Sequence, residues 1–367
     1  MSADEMLEQV ETASLAEDIF GPVTHEDKAL RSAKRLHRAY ANHLHPDRAG
    51  ECGIDKTRAT DAFAKLGLLY ERWAKACDAS ASRATARNMK APSRITLASK
   101  SRAYILGDLI AKGTLANLYR AESATGPVVV KMPRNASSSK FIEAERTALA
   151  ALQAMVADGN AWLGPYYPRL LDAMTHRAEG TSEQRKVNVL DDLGTEAGFF
   201  SLSEVKEASP DGLDGRDWAW IHRRLLTAIA GAHLAGVVHG AILPENVLIH
   251  PEGHGVVLAG WSFATKPGGM LEGRVQSRKD FYPPEAVEGP IFPESDIYMA
   301  HALMLSMLAP GERRQRAFAD GCMQGEPRMR PDAASLLQEY DELVEELYGR
   351  RTFRVFPYVP ATARRTA

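Results

Sequence analysis

The stretch HGAILPENVLIH, from His239 to His250, decides how the rest of the chain is interpreted. It starts as a mixed loop, breaks at Pro244 and ends in the run VLIH, which is typical of a short buried strand. Its single acid is Glu245, directly after the proline, whereas position 241 holds an alanine. The question is what a loop of this kind does without an acid ahead of its proline.

The totals exclude several classes of protein. The 367 residues suffice for two or three domains. A net charge of -2 gives no field that would recruit nucleic acid or an anionic membrane. Cys52, Cys77 and Cys322 show no CxxC spacing, which disfavours a disulfide framework or a zinc site. The start has no secretory signal, and no apolar run reaches about 18 residues. We expect a cytoplasmic protein with neither a membrane nor a nucleic-acid partner.

The first block of the chain, from Glu26 to about Cys77, has the period of two amphipathic helices. The stripe of the first helix comprises Leu30, Ala33, Leu36, Ala39, Tyr40 and Leu44, and its basic side comprises Arg31, Lys34, Arg35 and Arg38. The stripe of the second comprises Phe63, Leu66, Leu69, Tyr70 and Trp73. Between them Pro46 stops the helix, so we expect an antiparallel hairpin.

The tripeptide His45-Pro46-Asp47, between a basic helix and the run FAKLGLLYERW, resembles a DnaJ-type J-domain over residues 24–78. The family's first helix has no evident match in DIFGPVT. The resemblance implies that the protein docks on a DnaK-type chaperone and speeds its ATP hydrolysis. His45, Pro46 and Asp47 would make the directional contacts, and the basic side of the first helix would steer it to an acidic surface.

The small, polar and basic residues 79–101 indicate a linker that is helical in part at its start. The sequence pattern changes after them. Strand-like runs follow in YILGDLIA, ANLYRAE and GPVVVKM, and then a helical run in SKFIEAERTALAALQAM. From about Asp217 the pattern is mainly helical, with strand-like VLIH and GVVLA. A β-rich first part and a helical second part predict two lobes with a cleft between them.

Residues 104–348 resemble the protein-kinase fold along their whole length. In IAKGTLANLY, Ala111, Gly113 and Ala116 take the places of the three glycines that approach the phosphates. The resemblance implies that Lys131, on the next strand, contacts the α- and β-phosphates and pairs with Glu145 of the neighbouring helix. Asp191 and Asp192, in LDDLG, would connect the lobes and bind adenine through the backbone.

The acids that the kinase family uses for chemistry are missing. On the family's H-R-D-L-x-x-x-N, His239 matches, Gly240 replaces the arginine, Ala241 replaces the catalytic aspartate, and Asn246 matches the metal-binding asparagine. The aspartate of D-F-G falls on Ala259 or Gly260, and no acid occurs between Glu252 and Glu272. Glu245 and His239 are the remaining candidates for a base. The resemblance implies weak binding of ATP or ADP, with Asn246 as the remaining possible magnesium ligand.

The structural markers of the family are kept. Glu285 in YPPEAV, Asp296 in SDIYMAHALMLSML and Arg330 in PRMRPDAASLL match positions that shape the second lobe, and Glu285 and Arg330 would form an ion pair. The tail RRTFRVFPYVPATARRTA predicts either a disordered end or a docking peptide.

We therefore predict a multidomain chain: an all-α J-domain-like hairpin followed by an α+β bilobal kinase-like fold. The expected parts are an acidic segment 1–23, a J-domain-like region 24–78, a linker 79–101, lobes 102–190 and 191–348, and a tail 349–367. The favoured function is a J-domain co-chaperone with an inactive kinase-like module for an unknown client. The alternatives are an unconventional kinase or nucleotidyl transferase, and a non-catalytic scaffold.

Overall fold

The computed structural model describes residues 3–13, 15–24, 27–46, 54–88, 95–177, 182–194 and 197–357, with the backbone alone for residues 27–28 and 78–88. The chain divides into two compact units, Met1–Ser93 and Arg94–Ala367. No helix among these described residues is long and apolar enough to cross a bilayer.

The first unit is helical. Its helices are α1 (Ala3–Thr12), α2 (Glu17–Phe20), α3 (Asp27–His43) and α4 (Lys56–Asn88). Helix α3 ends ahead of Pro46, which cannot continue a helix. Helix α4 begins where the Asp55 carboxylate accepts hydrogen bonds from the amides of Thr57 and Arg58, both at 3.0 Å.

The core of the first unit follows the expected stripes with one exception. Leu44, Leu66 and Trp73 are buried, whereas Ala39 is exposed. The four-residue helix α2 overlaps the start of DIFGPVT, where no helix is evident from the sequence, and its Phe20 packs against Trp73 at 5.9 Å between ring centroids. A helix this short leaves too little periodicity to detect.

The segment predicted as acidic contributes to this core. Helix α1 buries Met6, Leu7 and Val10. Its Glu11 carboxylate accepts a bidentate pair of hydrogen bonds from Arg58 of α4, at 3.0 and 2.7 Å.

The second unit starts with a six-stranded antiparallel sheet in the order β1-β2-β3-β4-β6-β5. The strands are β1 (Thr96–Ala98), β2 (Ala103–Lys112), β3 (Ala116–Ser123), β4 (Gly126–Pro133), β5 (Leu170–Arg177) and β6 (Gln184–Asp191), and helix α5 (Ser139–Ala157) joins β4 to β5. Because α4 continues to Asn88 and β1 begins at Thr96, regular structure occupies much of the segment assigned to a linker.

The rest of the second unit is mainly helical. Its strands are β7 (Phe200–Ser201), β8 (Val247–His250), β9 (Gly255–Leu258), β10 (Gly269–Met270) and β11 (Pro290–Ile291), and its helices are α6 (Leu202–Ala208), α7 (Gly215–Leu234), α8 (Pro293–Met307), α9 (Arg313–Cys322) and α10 (Ala333–Tyr348). Strand β8 spans the predicted VLIH. The stretch from His239 to His250 thus runs from a loop into the three-stranded sheet β7-β8-β9.

The described part of the tail lies on this helical lobe. Phe356 is 3% exposed, and its ring meets that of Trp220 edge-on at 5.6 Å. His254 Nε2 donates to the carbonyl oxygen of Arg354 at 2.9 Å. The described tail is therefore anchored to the lobe through Phe356 and Arg354, while Val355 is 79% exposed. Residues 358–367 lie outside the described residues.

Candidate functional site

Lys131 of β4 is bound on two sides. Its Nζ donates to Glu145 Oε1 of α5 at 2.7 Å and to the Ser262 hydroxyl at 2.8 Å. The Lys131 side chain is 12% exposed and that of Glu145 is 2% exposed. The pair expected from the sequence is therefore formed, and Ser262 adds a partner that the kinase pattern did not indicate.

Asn188 of β6 holds Glu145 in place. Its Nδ2 donates to the carbonyl oxygen of Ile142 at 2.9 Å and to Glu145 Oε2 at 3.3 Å. Its Oδ1 accepts from Arg146 Nε at 3.1 Å. Sequence reasoning missed Asn188; the signal available was a single amide inside the apolar run of a strand, KVNVL.

The backbone of the loop after α7 is fixed by a buried carboxylate. Asp296 of α8 accepts hydrogen bonds from the amide of His239 at 2.8 Å and from the amide of Gly240 at 2.9 Å. It also contacts His233 Nε2 at 3.0 Å. Asp296 is 1% exposed, so this predicted structural residue anchors the loop from within the core.

His239 connects two loops through both of its ring nitrogens. Its Nδ1 accepts from the amide of Ala241 at 3.1 Å, so the proton of the neutral ring lies on Nε2, which donates to the Ala259 carbonyl oxygen at 2.8 Å. Burial lowers the pKa of His239 below 6.5. With both nitrogens engaged, His239 does not fit the role of a general base.

Asn246 is oriented through its amide nitrogen. Its Nδ2 donates to the carbonyl oxygen of Ala241 at 2.8 Å. A Cβ at Gly260, which has a φ of +78°, would lie 2.2 Å from Asn246 Oδ1. A metal would bind the amide through Oδ1, which the hydrogen bond to Ala241 does not use. Magnesium is usually held by carboxylates and water in an octahedral arrangement, and neither Ala259 nor Gly260 adds a carboxylate beside Asn246.

An aromatic side chain follows Gly260 in the run LAGWSFA. Trp261 is fully buried, its Nε1 donates to the carbonyl oxygen of Leu258 at 2.8 Å, and its ring lies 4.4 Å from that of His239. It occupies an apolar place beside the loop, and the run LAGWSFA itself contains no carboxylate.

Glu245 is paired away from the loop. Its carboxylate accepts a hydrogen bond from Arg278 Nε at 2.6 Å, and its side chain is 45% exposed. Within the described ranges, no three His, Cys, Asp or Glu side chains are grouped so that they could hold a metal ion. The structure thus shows neither a free base at Glu245 nor an assembled metal site in that part of the chain.

The turn between β2 and β3 keeps one essential glycine. Gly113 N donates to the carbonyl oxygen of Ala116 at 2.9 Å, and a Cβ at Gly113 would lie 2.6 Å from that oxygen. Ala111 and Gly113 are exposed. The turn therefore requires glycine at position 113, because its backbone approaches that of Ala116 closely.

The two acids at the junction of the lobes bind the protein's own arginines. The Asp191 carboxylate accepts from the amide of Arg169 at 2.8 Å and from its Nε at 3.2 Å. Asp192 lies 3.5 Å from Arg120 Nε and accepts from the amide of Gly194 at 2.9 Å. Their side chains hold this junction, whereas the predicted role in adenine binding concerns the backbone.

The expected marker pair of the helical lobe is bidentate. Arg330 donates to the two Glu285 oxygens, at 2.6 and 3.0 Å, and Ser295 donates to Glu285 Oε1 at 2.7 Å. These hydrogen bonds outweigh burial and hold the pKa of Glu285 below its usual value.

The candidate chaperone site of the first unit is described in part. The His45 ring packs edge-on against Phe63 of α4 at 5.3 Å, Pro46 is half-buried, and Asp47 lies outside the described residues. The predicted basic side chains of α3 are all exposed: Arg31, Lys34, Arg35 and Arg38. None of the four forms a salt bridge within the described residues.

A comparison with solved structures decides the fold. The structure of vaccinia related kinase 3 matches with a TM-score of 0.53 and 19% identity, over 76% of this chain and 97% of that one.

The chain contains a protein-kinase-like fold.

A curated relative agrees with this kinase-like fold. The serine/threonine-protein kinase PkaB of Streptomyces coelicolor is 26% identical over 231 residues, which are 56% of this chain and 48% of that protein. The match thus spans about half the length of the relative. No family model matches the chain. Hereafter Arg94–Ala367 is called the kinase-like unit, and its loop His239–Asn246 the catalytic-loop turn.

Proposed function

We propose that this protein is a co-chaperone of a DnaK-type chaperone and that its kinase-like unit binds without transferring phosphate. The observation that carries the proposal is the cleft itself. Lys131 and Glu145 are paired at 2.7 Å, while the positions of the two acids are Ala241 and, in either register, Ala259 or Gly260. A cleft built in this way keeps a charged anchor and lacks the two acids that serve as base and as metal ligand in the kinase pattern.

The missing groups account for most of a transfer rate. A positioned general base contributes roughly 10²–10⁴-fold, and a metal supplies several kcal/mol of charge stabilisation on the phosphoryl group. The two effects are coupled and do not simply add. Glu245 is the one carboxylate of the catalytic-loop turn, and it is paired with Arg278. It is therefore not free to act as the base, which supports a cleft that binds without transferring phosphate.

The shape of the first unit supports the chaperone part of the proposal. Two helices, α3 and α4, flank the His45-Pro46-Asp47 tripeptide, and the short helix α2 precedes them as the J-domain pattern requires. The contact of His45 with Phe63 orients the start of the tripeptide. An exposed basic side on α3 is the kind of surface that an acidic partner would attract.

The direct test measures the steady-state ATPase rate of a DnaK-type chaperone with and without the full-length protein. We expect stimulation by the wild type and loss of stimulation in His45→Gln. His43→Gln, which changes a half-buried histidine two residues away, is the matched control and should retain stimulation. Equal stimulation by wild type and His45→Gln would exclude this docking mode.

A second candidate function is favoured by the same Lys131–Glu145 pair, since an enzyme with relocated acids would also keep it. PkaB is named as a serine/threonine kinase, and the alternative is an unconventional kinase or nucleotidyl transferase. Transfer of label from γ- or α-labelled ATP to protein, abolished in Lys131→Ala, would support the enzyme.

Nucleotide titration separates a binding cleft from a scaffold. We expect weak binding of ATP or ADP that does not depend on magnesium, because Ala241, Ala259 and Gly260 supply no carboxylate beside Asn246. Binding that appears only with magnesium would contradict the proposed cleft. No binding under any condition would favour the non-catalytic scaffold, with the client held elsewhere.

A further inference from the structure

A segment of the kinase-like unit, Thr265–Tyr282, is tied to the catalytic-loop turn at its start; we call it the cover segment. Val238, next to the turn, exchanges backbone hydrogen bonds with Thr265, at 2.9 and 3.0 Å. Strand β10 then pairs with β11, and Gly268 N donates to the Ile291 carbonyl oxygen at 2.8 Å. These hydrogen bonds fix the position of the backbone just before Leu271 relative to the catalytic-loop turn.

Leu271 of the cover segment lies directly on Gly240. Gly240 has a φ of +68°, and a Cβ built there would lie 2.6 Å from Leu271 Cδ2 and 3.1 Å from Ile291 Cδ1. The amide of Gly240 is held by Asp296, so the turn is fixed from below. Leu271 and Ile291 therefore occupy the space that any side chain at position 240 would need.

The cover segment is also tied down beyond Leu271. Glu272 forms an ion pair with Lys140 of α5. A Cβ at Gly273 would lie 3.3 Å from the Phe263 ring and 3.6 Å from the Phe141 ring, so the backbone packs closely on this aromatic pair. The contact of Arg278 with Glu245 is described above. All of these contacts are apolar contacts, ion pairs or backbone hydrogen bonds between residues of this protein.

Kinase segments of this type are commonly ordered by phosphorylation, which creates new pairs between arginine and phosphate. Here position 240 has no arginine, and the site of its side chain is filled by leucine and isoleucine. The residues that follow are closed to solvent: Ala241 and Ile242 are 0% exposed and Leu243 is 2% exposed.

We propose that Leu271 and Gly240 form an apolar latch, which keeps the cover segment ordered without phosphorylation and closes the catalytic-loop turn to a phosphoacceptor. The latch goes beyond the proposed function, because it concerns access to the turn and not the missing acids. It stands independently of whether the protein stimulates a chaperone or binds nucleotide.

The test measures access to position 241 in the full-length protein. Ala241→Cys is alkylated with N-ethylmaleimide, and the rate at this cysteine is followed by peptide mass spectrometry, which separates it from the native cysteines. With Leu271→Ala added, labelling should be at least about tenfold faster, because truncating a packed leucine favours local opening. Met270→Ala is the matched control: its neighbouring side chain is 56% exposed, and labelling should stay slow.

Hydrogen exchange without the cysteine provides the second measurement, in case Ala241→Cys does not fold. We expect faster exchange in residues 238–243 and 265–282 of Leu271→Ala than in wild type or Met270→Ala. The latch would be overturned if Ala241→Cys were labelled at the same rate with and without Leu271→Ala. Equal hydrogen exchange in Leu271→Ala and Met270→Ala would overturn it as well. Neither measurement involves the chaperone, so a failure here is distinct from a failure of the proposed function.

Discussion

The ammonium of Lys131 is bound by the Glu145 carboxylate and by the Ser262 hydroxyl. Both charged groups are removed from water, and the attraction between them offsets part of that cost. Removing one partner would leave the other charge buried and unpaired. Breaking the pair should therefore destabilise the kinase-like unit, whatever the cleft binds.

We predict that Lys131→Met lowers the free energy of unfolding of the kinase-like unit by about 3–5 kcal/mol, the cost of leaving a buried charge unpaired. Lys140→Met is the matched control, because it breaks the exposed ion pair between Lys140 and Glu272. The Lys140 side chain is 54% exposed and that of Glu272 is 64% exposed, so the loss should be less than about 1 kcal/mol. Urea titration followed by hydrogen exchange in α5 measures both. Similar losses in the two variants would contradict the assigned role of Lys131.

Two glycines separate the contributions of backbone strain and of crowding by Asn246. Gly260 and Gly236 both have positive φ, at +78° and +71°. A Cβ at Gly260 would lie 2.2 Å from Asn246 Oδ1, whereas a Cβ at Gly236 would meet nothing within 4 Å. Left-handed backbone costs a non-glycine residue roughly 1–2 kcal/mol, and that cost is common to both positions.

We therefore predict that Gly260→Ala lowers the melting temperature more than Gly236→Ala does, since only the former must displace Asn246. Gly260→Asp should be destabilised at least as much and should not restore phosphoryl transfer, because Ala241 still supplies no base. Differential scanning fluorimetry measures the first claim and labelled ATP the second. Equal shifts for the two alanine variants would show that Asn246 is not fixed over Gly260.

At the scale of elements, helices α7 and α8 bring two histidines together in the core of the helical lobe. His222 and His301 are both fully buried, with ring centroids 4.9 Å apart, and Tyr340 of α10 lies 4.7 Å from His222. Neither His222 nitrogen has a hydrogen-bond partner among the residues that the structure describes. Burial lowers the pKa of His301 to about 4 and that of His222 well below 6.5.

The sign of the pH dependence follows from these shifts. Below pH 6.5 the unfolded chain binds protons that the folded histidines exclude, so stability is full above pH 6.5 and falls as the pH decreases towards the folded pKa values. The slope is about 1.4 kcal/mol per pH unit for each histidine. Asp217 acts in the opposite direction, because burial raises its pKa to about 6 and its contribution is lost as the pH rises through that value.

We predict that His222→Leu weakens the pH dependence of stability, because the unfolded variant binds one proton fewer than the unfolded wild type at low pH. Its free energy of unfolding should increase relative to that of wild type by about 1.4 kcal/mol for each unit of pH below 6.5, because the variant is spared the loss of stability that His222 causes in wild type. Urea titrations at pH 7.5, 6.0 and 5.0 check this. A difference between variant and wild type that stays constant over these pH values would contradict an uncharged, buried His222.

Local sequence patterns predicted the elements better than the contacts between them. Strand β8 and helix α5 were readable because their residues alternate or recur with the proper period. Ser262 and Asn188 were not, since their role depends on how α5 and β6 converge on Lys131, and neither residue belongs to the pattern of acids and glycines. Leu271 was hidden for a related reason: its partner Gly240 was noticed only as the absence of an arginine.

At the scale of the whole molecule, the charge is nearly balanced, with 45 Lys and Arg against 47 Asp and Glu. Such a chain has no long-range field, so attraction to an acidic chaperone surface would depend on a local concentration of charge. The exposed basic side of α3 is one such concentration. Exposed basic residues also occur on α4, at Arg72 and Lys75, and provide an internal comparison.

We predict that Arg35→Glu with Arg38→Glu lowers stimulation of a DnaK-type chaperone by at least about tenfold at low salt, because like charges across an interface cost several kcal/mol. The defect should arise mainly in the association rate, and wild-type stimulation should weaken as salt screens the surface. Arg72→Glu with Lys75→Glu makes the same change in net charge on α4 and should retain most of the activity. If both pairs reduce stimulation equally, net charge rather than the α3 surface governs the encounter, and the docking surface assigned to the first unit is wrong.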